Sequence, residues 1–337
     1  MKKLKIFVTA LLALTLVSCA EAKDKVVIGF YNVENLFDIE DDPHKNDNQF
    51  LPEGSYNWTQ DKYELKLHNI ASVIKAMADE NGAFHSVLGV AEVENLKVLE
   101  DLVAQPELKK AKYKIAHHES PDTRGIDVAF LYRPDRFTLL DTDYVRFDFV
   151  TSRDVFIIRG KLDGEMFAFM VAHLPSRIGG KGADERVWGA EAIHSKAMEL
   201  QEKYPGIKIV VMGDMNDDPI DESLVKGLHA KETLPEVGES DFFSPFMSML
   251  RAGYGSLEYR GTWEIFDQIL VNKPLTAGRG LKIQIVEDGR FYGKIFKPDF
   301  LIQQSGRYKG TPFRTFSNGK FIGGYSDHLP TYIILKK

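Results

Sequence analysis

A single cysteine, Cys19, stands in 337 residues. From residue 20 onward there is none, so no disulfide braces the fold and no thiol serves as nucleophile or zinc ligand. Long apolar runs are also scarce. Past the first twenty residues no stretch approaches the roughly 20 apolar residues of a membrane helix. Positive charge is not in excess, with 43 Lys and Arg against 49 Asp and Glu and a net charge of -6. That balance argues against a protein that passively coats a polyanion. It leaves room for an enzyme that meets phosphate through a bound metal, because a metal site needs carboxylates. No internal repeat and no long linker interrupts the chain. What remains is an ordinary globular composition, 44% hydrophobic and 27% charged, and ample length for a core.

The N-terminus stands apart. The stretch MKKLKIFVTALLALTLVSCA has a basic start (Lys2, Lys3, Lys5), an apolar run from Ile6 to Val17 and then small residues. It reads as a secretory signal peptide over residues 1–19, too short in its apolar part for a comfortable span. Leu16-Val17-Ser18-Cys19 resembles the lipobox of bacterial lipoproteins, which predicts that Cys19 becomes a lipidated first residue. The alternative is cleavage after Ala20 or Ala22. Either way the chain is expected to be exported, as a cell-envelope lipoprotein (outer membrane or periplasm) or in secreted form. Membrane contact would come only through the lipid anchor, and no oligomer is implied. Removing the three lysines takes the charge from -6 to -9. Residues 25–337 read as one catalytic domain.

Apolar patterning divides that domain into strands and helices. Strands are expected at 25–33, 86–93, 113–118, 126–133, 207–214, 262–272 and 330–336, and a hairpin turns at Asp163-Gly164. Tyr63, Leu67, Ile70, Val73, Ile74 and Met77 recur at helical spacing within 60–80. Shorter helices are expected at 95–104 and 183–203, the latter followed by Gly206. The acidic stretch from Asp38 to Tyr56 lacks the glycine and spacing of a calcium loop and reads as a solvated surface loop. Many strands with a few helices predict an α+β fold of packed sheets flanked by helices.

One pattern organises the chemistry. Apolar runs repeatedly stop at a polar residue of catalytic type. SVLGVA stops at Glu92, FAFMVA at His173, and IKIVVMG at Asp214 with Asn216 two residues on. GFY runs into Asn32 and Glu34, GTWEIF into Asp267, and IGGYS into Asp327 and His328. Any one of these has a bland explanation as a rim carboxylate, a satisfied edge histidine or a turn cap. Six in one chain are harder to dismiss, because each polar group is expensive to bury alone. Strand ends that converge could satisfy one another and a metal. Adjacent side chains of a strand point to opposite faces, so Asp327 and His328 serve one site only if Ser326–His328 is a bend, with regular pairing starting near Pro330.

The pieces FYNVEN, GVAEVEN, RGIDVAFLY, AHLPSR, GDMND, FDQILV and YSDHLP, spread over residues 30 to 330, resemble the endonuclease/exonuclease/phosphatase superfamily. SPDTRGIDVAFLY is similar to a stretch of its secreted bacterial nucleases. The resemblance implies a four-layer α/β/β/α sandwich and metal-dependent phosphoester hydrolysis. It implies a divalent ion, Mg²⁺ with Mn²⁺ or Ca²⁺ as alternatives, held by Glu92 with Glu34, Asn32 and Asp327 around it. Aspartate is commoner in the family at the place of Glu34. Asp214 and Asn216 would orient the attacking water or a phosphate oxygen. His328, oriented by Asp267, would be the general base or polarise the phosphate, and His173 would protonate the leaving oxygen. Arg124, Arg177 and Lys181 are candidates for phosphate contacts.

The resemblance and the residues together predict a Mg²⁺-dependent phosphodiesterase, an endonuclease acting on nucleic acid. A phosphatase for a small phosphate ester is the alternative, and a non-catalytic envelope binding protein is the reading from another class. A calcineurin-type metallophosphatase would need Gly-Asp-x-His and Gly-Asn-His-Asp(Glu) motifs, and neither occurs.

Overall fold

Short runs of Val, Ile, Leu and Phe, each ended by a polar residue, build two seven-stranded sheets. The computed structural model describes residues 25–147, 152–259 and 261–337. The expected signal segment, residues 1–19 with Cys19, lies outside the described residues. The first sheet begins with β1 (Val26–Leu36), β2 (Val87–Val93), β3 (Lys114–His117) and β4 (Asp127–Tyr132). The second takes β5 (Phe137–Val145), β6 (Val155–Leu162), β7 (Glu165–His173), β8 (Lys208–Asp214) and the short β9 (Ala230–Lys231) and β10 (Phe242–Phe243). A hairpin of β11 (Leu257–Tyr259) and β12 (Thr262–Glu264) follows, and β13 (Asp267–Asn272) returns to the second sheet. Next come β14 (Lys282–Ile283) and β15 (Gly293–Ile295), the small hairpin β16 (Phe316–Ser317) with β17 (Lys320–Phe321), and β18 (Thr331–Lys336). The first sheet is ordered β14-β18-β1-β2-β4-β3, with β15 also on β18, and the second β5-β6-β7-β8-β13-β10-β9.

The sheets face each other across one core that draws on both, with Val90 and Phe130 from one and Val171, Met212 and Ile269 from the other. Gly89 marks their close approach: a Cβ there would lie 2.6 Å from Met212 Sδ. Helix α1 (Gln60–Asn81) covers the outside of the first sheet with Leu67, Ile70, Val73, Ile74 and Met77, assisted by α2 (Leu96–Val103). It stops at Gly82, whose φ of +67° suits a left-handed cap. Helix α3 (Ala183–Lys203) covers the second sheet, seating Ile193, Ala197 and Leu200 against Ile157, Met170, Ile209 and Val211. The short α4 (Phe246–Arg251) and α5 (Lys273–Ala277) fill connections. This is the expected α/β/β/α sandwich. No described helix is long and apolar enough to cross a membrane.

The sequence patterning locates the long apolar strands and helices to within a few residues, but gives no strand at β5, whose residues are mostly exposed, nor at the two- and three-residue strands β9–β11 and β14–β17. It also fails at 262–272, expected as one strand. The chain breaks there at Ile265 and Phe266, so β12 belongs to the small hairpin and only β13 to the sheet.

Pairing directions decide where the polar ends meet. β1 and β2 are parallel, as are β7 and β8, so Asn32, Glu92, His173 and Asp214 all come out at one edge. β13 and β18 run antiparallel to their neighbours, so their first residues reach the same edge, with Asp267 paired opposite Asp214 and Thr331 opposite Phe30.

Candidate active site

Two β-bulges aim the acidic residues. The β1/β2 register slips between Asn32 and Leu36, and the β2/β4 register slips between Ala91 and Val93. Within these slips Glu34 (φ +52°) and Glu92 (φ +63°) take left-handed backbone, as does Asn216 (φ +50°) just beyond β8. Such conformations are costly for residues with a side chain and cluster at functional sites. The β7/β8 approach contributes too: a Cβ on Gly213 would meet Ala172 O at 2.1 Å, so glycine lets His173 and Asp214 end side by side.

The converging groups bond to one another. Asn32 Nδ2 donates to Asp214 Oδ2 at 3.0 Å and to Glu92 Oε1 at 3.3 Å. Glu92 Oε2 accepts from Asn35 N at 2.9 Å. Asp214 Oδ1 accepts from Asn216 N at 3.0 Å. His328 Nδ1 meets Asp267 Oδ2 at 2.8 Å, and Ser256 Oγ donates to the same oxygen at 2.6 Å. The other ring nitrogen, Nε2, points inward, 3.8 Å from Asp214 Oδ2 and 3.9 Å from Asp327 Oδ1. His173 Nε2 lies 3.5 Å from Asp214 Oδ2 and 3.9 Å from Glu92 Oε1. Ser326–His328 is a bend, pinned by Ser326 Oγ donating to Asn32 O at 2.7 Å and accepting from His328 N at 3.0 Å. Regular pairing begins at Thr331.

Burial and charge set the protonation states. Burial opposes a charged His328, but Asp267 and Asp214 outweigh it and hold the imidazole well above its ordinary pKa. Burial pushes Asp214 up to about 7, with Asp267 and Glu92 adding to the rise and His328 opposing it. His173 is driven well below the ordinary histidine range by burial and by the nearby cations of Arg153, Arg124 and His328. The site therefore pairs a cationic imidazole, a neutral one and a carboxyl poised near neutrality.

The donor set fits a hard divalent ion. Glu92 and the part-exposed Asp327 offer carboxylate oxygen in the cavity wall. Asn32 is fully buried beside Glu92, and its Oδ1 accepts from Glu34 N at 3.0 Å. Asp214, Asp267 and His328 also lie close enough to share an ion, but His328 and Asp267 already satisfy each other. Glu34 sits behind the floor. Its Oε2 accepts from Thr315 N at 2.7 Å, and it faces the buried Lys66. Burial beside Asp327 pushes Glu34 up to about 7, Lys66 opposing, and burial brings Lys66 down to about 8.

Arg124 lines the cavity, half exposed. Arg177 lines it as well but is held otherwise than expected. It forms ion pairs with Asp217 (2.9 Å), Asp221 and Glu264 (3.5 Å), and its Nε donates to Asn216 O at 2.7 Å. Three carboxylates balance its charge, and it braces the Asn216 loop from the cavity wall. Lys181 is exposed and belongs to a neighbouring depression.

Several contributors escaped sequence reasoning. Arg153 is buried, bonded to Asp122 at 3.1 Å and to the carbonyls of His173 (2.9 Å) and Leu174 (3.1 Å), and so fixes the end of β7. Lys66 donates to Thr315 Oγ1 and to Tyr325 O at 2.7 Å. Its neighbour Asn69 reaches Gly323 O and Gly324 O at 3.1 and 3.0 Å. Trp263, Phe266, Arg307, Tyr308, Lys309 and Arg314 complete the walls of a cavity of about 890 Å³. Only Ser326 had a legible signal, inside YSDHLP. His117 and His118 lie against Asp127 and Asp154 at 3.0 Å each.

No curated protein matches this sequence. Solved structures share its fold at low identity. Caenorhabditis elegans TDP2 superposes with a TM-score of 0.56 at 15% identity, over 93% of this chain and 75% of that one. The Bacteroides thetaiotaomicron mannosyl-6-phosphatase gives 0.54 at 16%, over 92% and 99%. The catalytic domain of human Nocturnin with bound sulfate gives 0.53 at 14%, over 93% and 94%. Residues 27–337 match the Endonuclease/Exonuclease/phosphatase family. With that match spanning both sheets and every strand end of the site, the chain belongs to the endonuclease/exonuclease/phosphatase family.

Proposed function

We propose that the protein is an exported, Mg²⁺-dependent phosphodiesterase that cleaves nucleic-acid strands. The observation that carries the reading is the buried His328–Asp267 pair at 2.8 Å, set 3.8 Å from an Asp214 poised near neutrality. A group whose pKa lies near the working pH is the efficient acceptor of a proton. Asp214 therefore takes the proton of the attacking water, and Asn216 keeps its carboxylate in place. The water oxygen bonds to phosphorus as the bond to the leaving alkoxide breaks. The proton taken up by Asp214 passes through solvent to that leaving oxygen, which departs as the alcohol and leaves the carboxylate free again. His328, already cationic, donates from Nε2 to a non-bridging oxygen and stabilises the charge that develops there. His173 is neutral, so it serves better as a hydrogen-bond donor to the phosphate than as the acid for the leaving group. Glu92, Asn32 and Asp327 would hold the ion, with Glu34 supporting from behind. When bound, a divalent metal neutralises phosphate charge and polarises the P–O bond.

Incubation with supercoiled plasmid and Mg²⁺ is expected to give nicking that EDTA abolishes. A second reading, a phosphatase for a small phosphate ester, is favoured by one observation. Trp263 and Phe266 help wall a cavity whose 890 Å³ lies within the range for small ligands. Phosphate release from small monoesters with no nicking would establish that reading instead. Failure to hydrolyse any phosphoester with any divalent ion would leave only a binding role. Export is tested separately: Cys19→Ala protein should be released from membranes, and unchanged attachment would refute the lipid anchor.

A further inference from the structure

We propose that this centre recognises a second phosphate on its substrate, held by Arg307, Lys309 and Arg314 of the segment 303–315. The inference rests on the phosphoester reading above and adds to it a substrate class: phosphoesters that carry another phosphate beyond a sugar or similar spacer.

The two basic sides of the cavity differ in what their charges already do. Arg177 is neutralised by three carboxylates on one side. On the other, Arg307 and Lys309 face the cavity, and neither forms an ion pair among the described residues. Arg314 lies deeper, with Nη2 4.0 Å from Asp327 Oδ2 and a buried Nε that has no hydrogen-bond partner among the described residues. Asp327 in turn lies 3.9 Å from His328 Nε2. A basic path thus runs from the catalytic bend outward to the rim. Of the acids nearby, Glu258 lines the same cavity and accepts from Gly261 N, and Glu264 pairs with Arg177.

The segment is built rather than loose. Gln303 and Gly310 exchange backbone bonds with Thr311 and Gln303 at 2.9 Å each, and Phe313 N donates to Leu301 O at 2.7 Å. Thr311 Oγ1 donates to Tyr308 O at 2.9 Å. Its base is clamped where Thr315 meets Glu34 and Lys66. Arg307 lies 5.6 Å from the Tyr308 ring. A cavity of 890 Å³ is far larger than one phosphoryl group requires, and unpaired guanidinium and ammonium groups on a fixed wall are the chemistry that recognises phosphate.

The second phosphate could be the neighbour in a nucleic-acid strand or the other end of a small bisphosphate. Two substrate pairs separate these sources: the dinucleotides pTpT and TpT, and a sugar bisphosphate with its monophosphate. In Mg²⁺, wild-type kcat/KM is expected to favour the doubly phosphorylated member of one pair by about tenfold or more. That ratio should fall to about one in Arg307→Ala/Lys309→Ala and below one in Arg307→Glu/Lys309→Glu. A purely structural role would lower both members together and leave the ratio alone. A wild-type ratio near one in both pairs, or a ratio that survives the double substitutions, overturns the proposal. If wild-type protein hydrolyses none of these compounds, the phosphoester reading fails by itself. Thermal shifts with the same pairs then decide the subsite: equal shifts for both members in wild type overturn it.

Discussion

The two ends of β2 offer a comparison between buried histidines. His85 precedes the strand and is fully buried, and neither ring nitrogen has a hydrogen-bond partner among the described residues. Burial, with some help from Lys25, pushes it down to about 3. His328, at the opposite edge, is buried nearly as well, yet two carboxylates hold it well above the ordinary range. The same side chain is an apolar filler at one end and a fixed cation at the other. Burial alone does not make a functional histidine; the facing carboxylates do. The backbone repeats the contrast. At the site end Glu34, Glu92 and Asn216 are held in left-handed conformations inside bulges and loops, whereas at the far end Asp163 (φ +48°) and Gly164 (φ +88°) merely close a hairpin.

Four substitutions separate the ends, from the largest expected effect to the smallest. His328→Ala should cost about a hundredfold or more in kcat, read from steady-state hydrolysis by protein whose folding is checked by circular dichroism. A rate within threefold of wild type would remove His328 from the chemistry. Glu92→Gln should raise the Mg²⁺ concentration for half-maximal rate by at least about tenfold, and an unmoved metal titration would take Glu92 out of the ligand set. At the far end, His85→Leu should leave kcat intact and change the acid sensitivity. The folded pKa of about 3 lies below the unfolded value of 6.5, so the unfolded chain binds the extra proton between them. Stability from neutral His85 is full above that upper value and is lost as pH falls. At pH 5 the loss is about 2 kcal/mol. Denaturant melts at pH 7 and pH 5 should show a wild-type drop that exceeds the variant's by about that amount; parallel drops would refute it. Smallest, Asp163→Asn keeps a residue that tolerates left-handed backbone and loses the Arg136 ion pair, 2.8 Å at Oδ1. It should cost about 1 kcal/mol or less with unchanged activity.

What could be read from sequence follows a physical divide. Local apolar periodicity carries the strands and α1, because both follow from neighbours a few residues apart. The strand-end polar residues were legible for the same reason, since each interrupts an apolar run. Long-range geometry was not. Nothing near Lys66 announces that its ammonium meets Thr315 and Tyr325, some 250 positions later in the chain. Lysine inside a helical pattern reads as solvated by default. The left-handed backbone of Glu92 is equally invisible, because GVAEV continues an apolar strand and the bulge exists only relative to β4. Arg177 was legible as a cation near the site, but its three acidic partners come from positions 217, 221 and 264 and cancel it.

Lys66 carries a consequence for anyone who would retarget this scaffold. The segment between β15 and β18 looks like a loop to be exchanged at will, since it forms a wall of the cavity. Its two halves are not equivalent. Residues 303–312 hang from backbone pairs of their own and can be grafted as a unit. From Thr315 to Tyr325 the chain is the far side of a buried lysine's coordination, and it also caps Glu34. A graft that runs past Phe313 therefore strands an ammonium in the core beneath the acidic floor. Donor loops should be cut before that point, or must bring a hydroxyl and a carbonyl to the same two places.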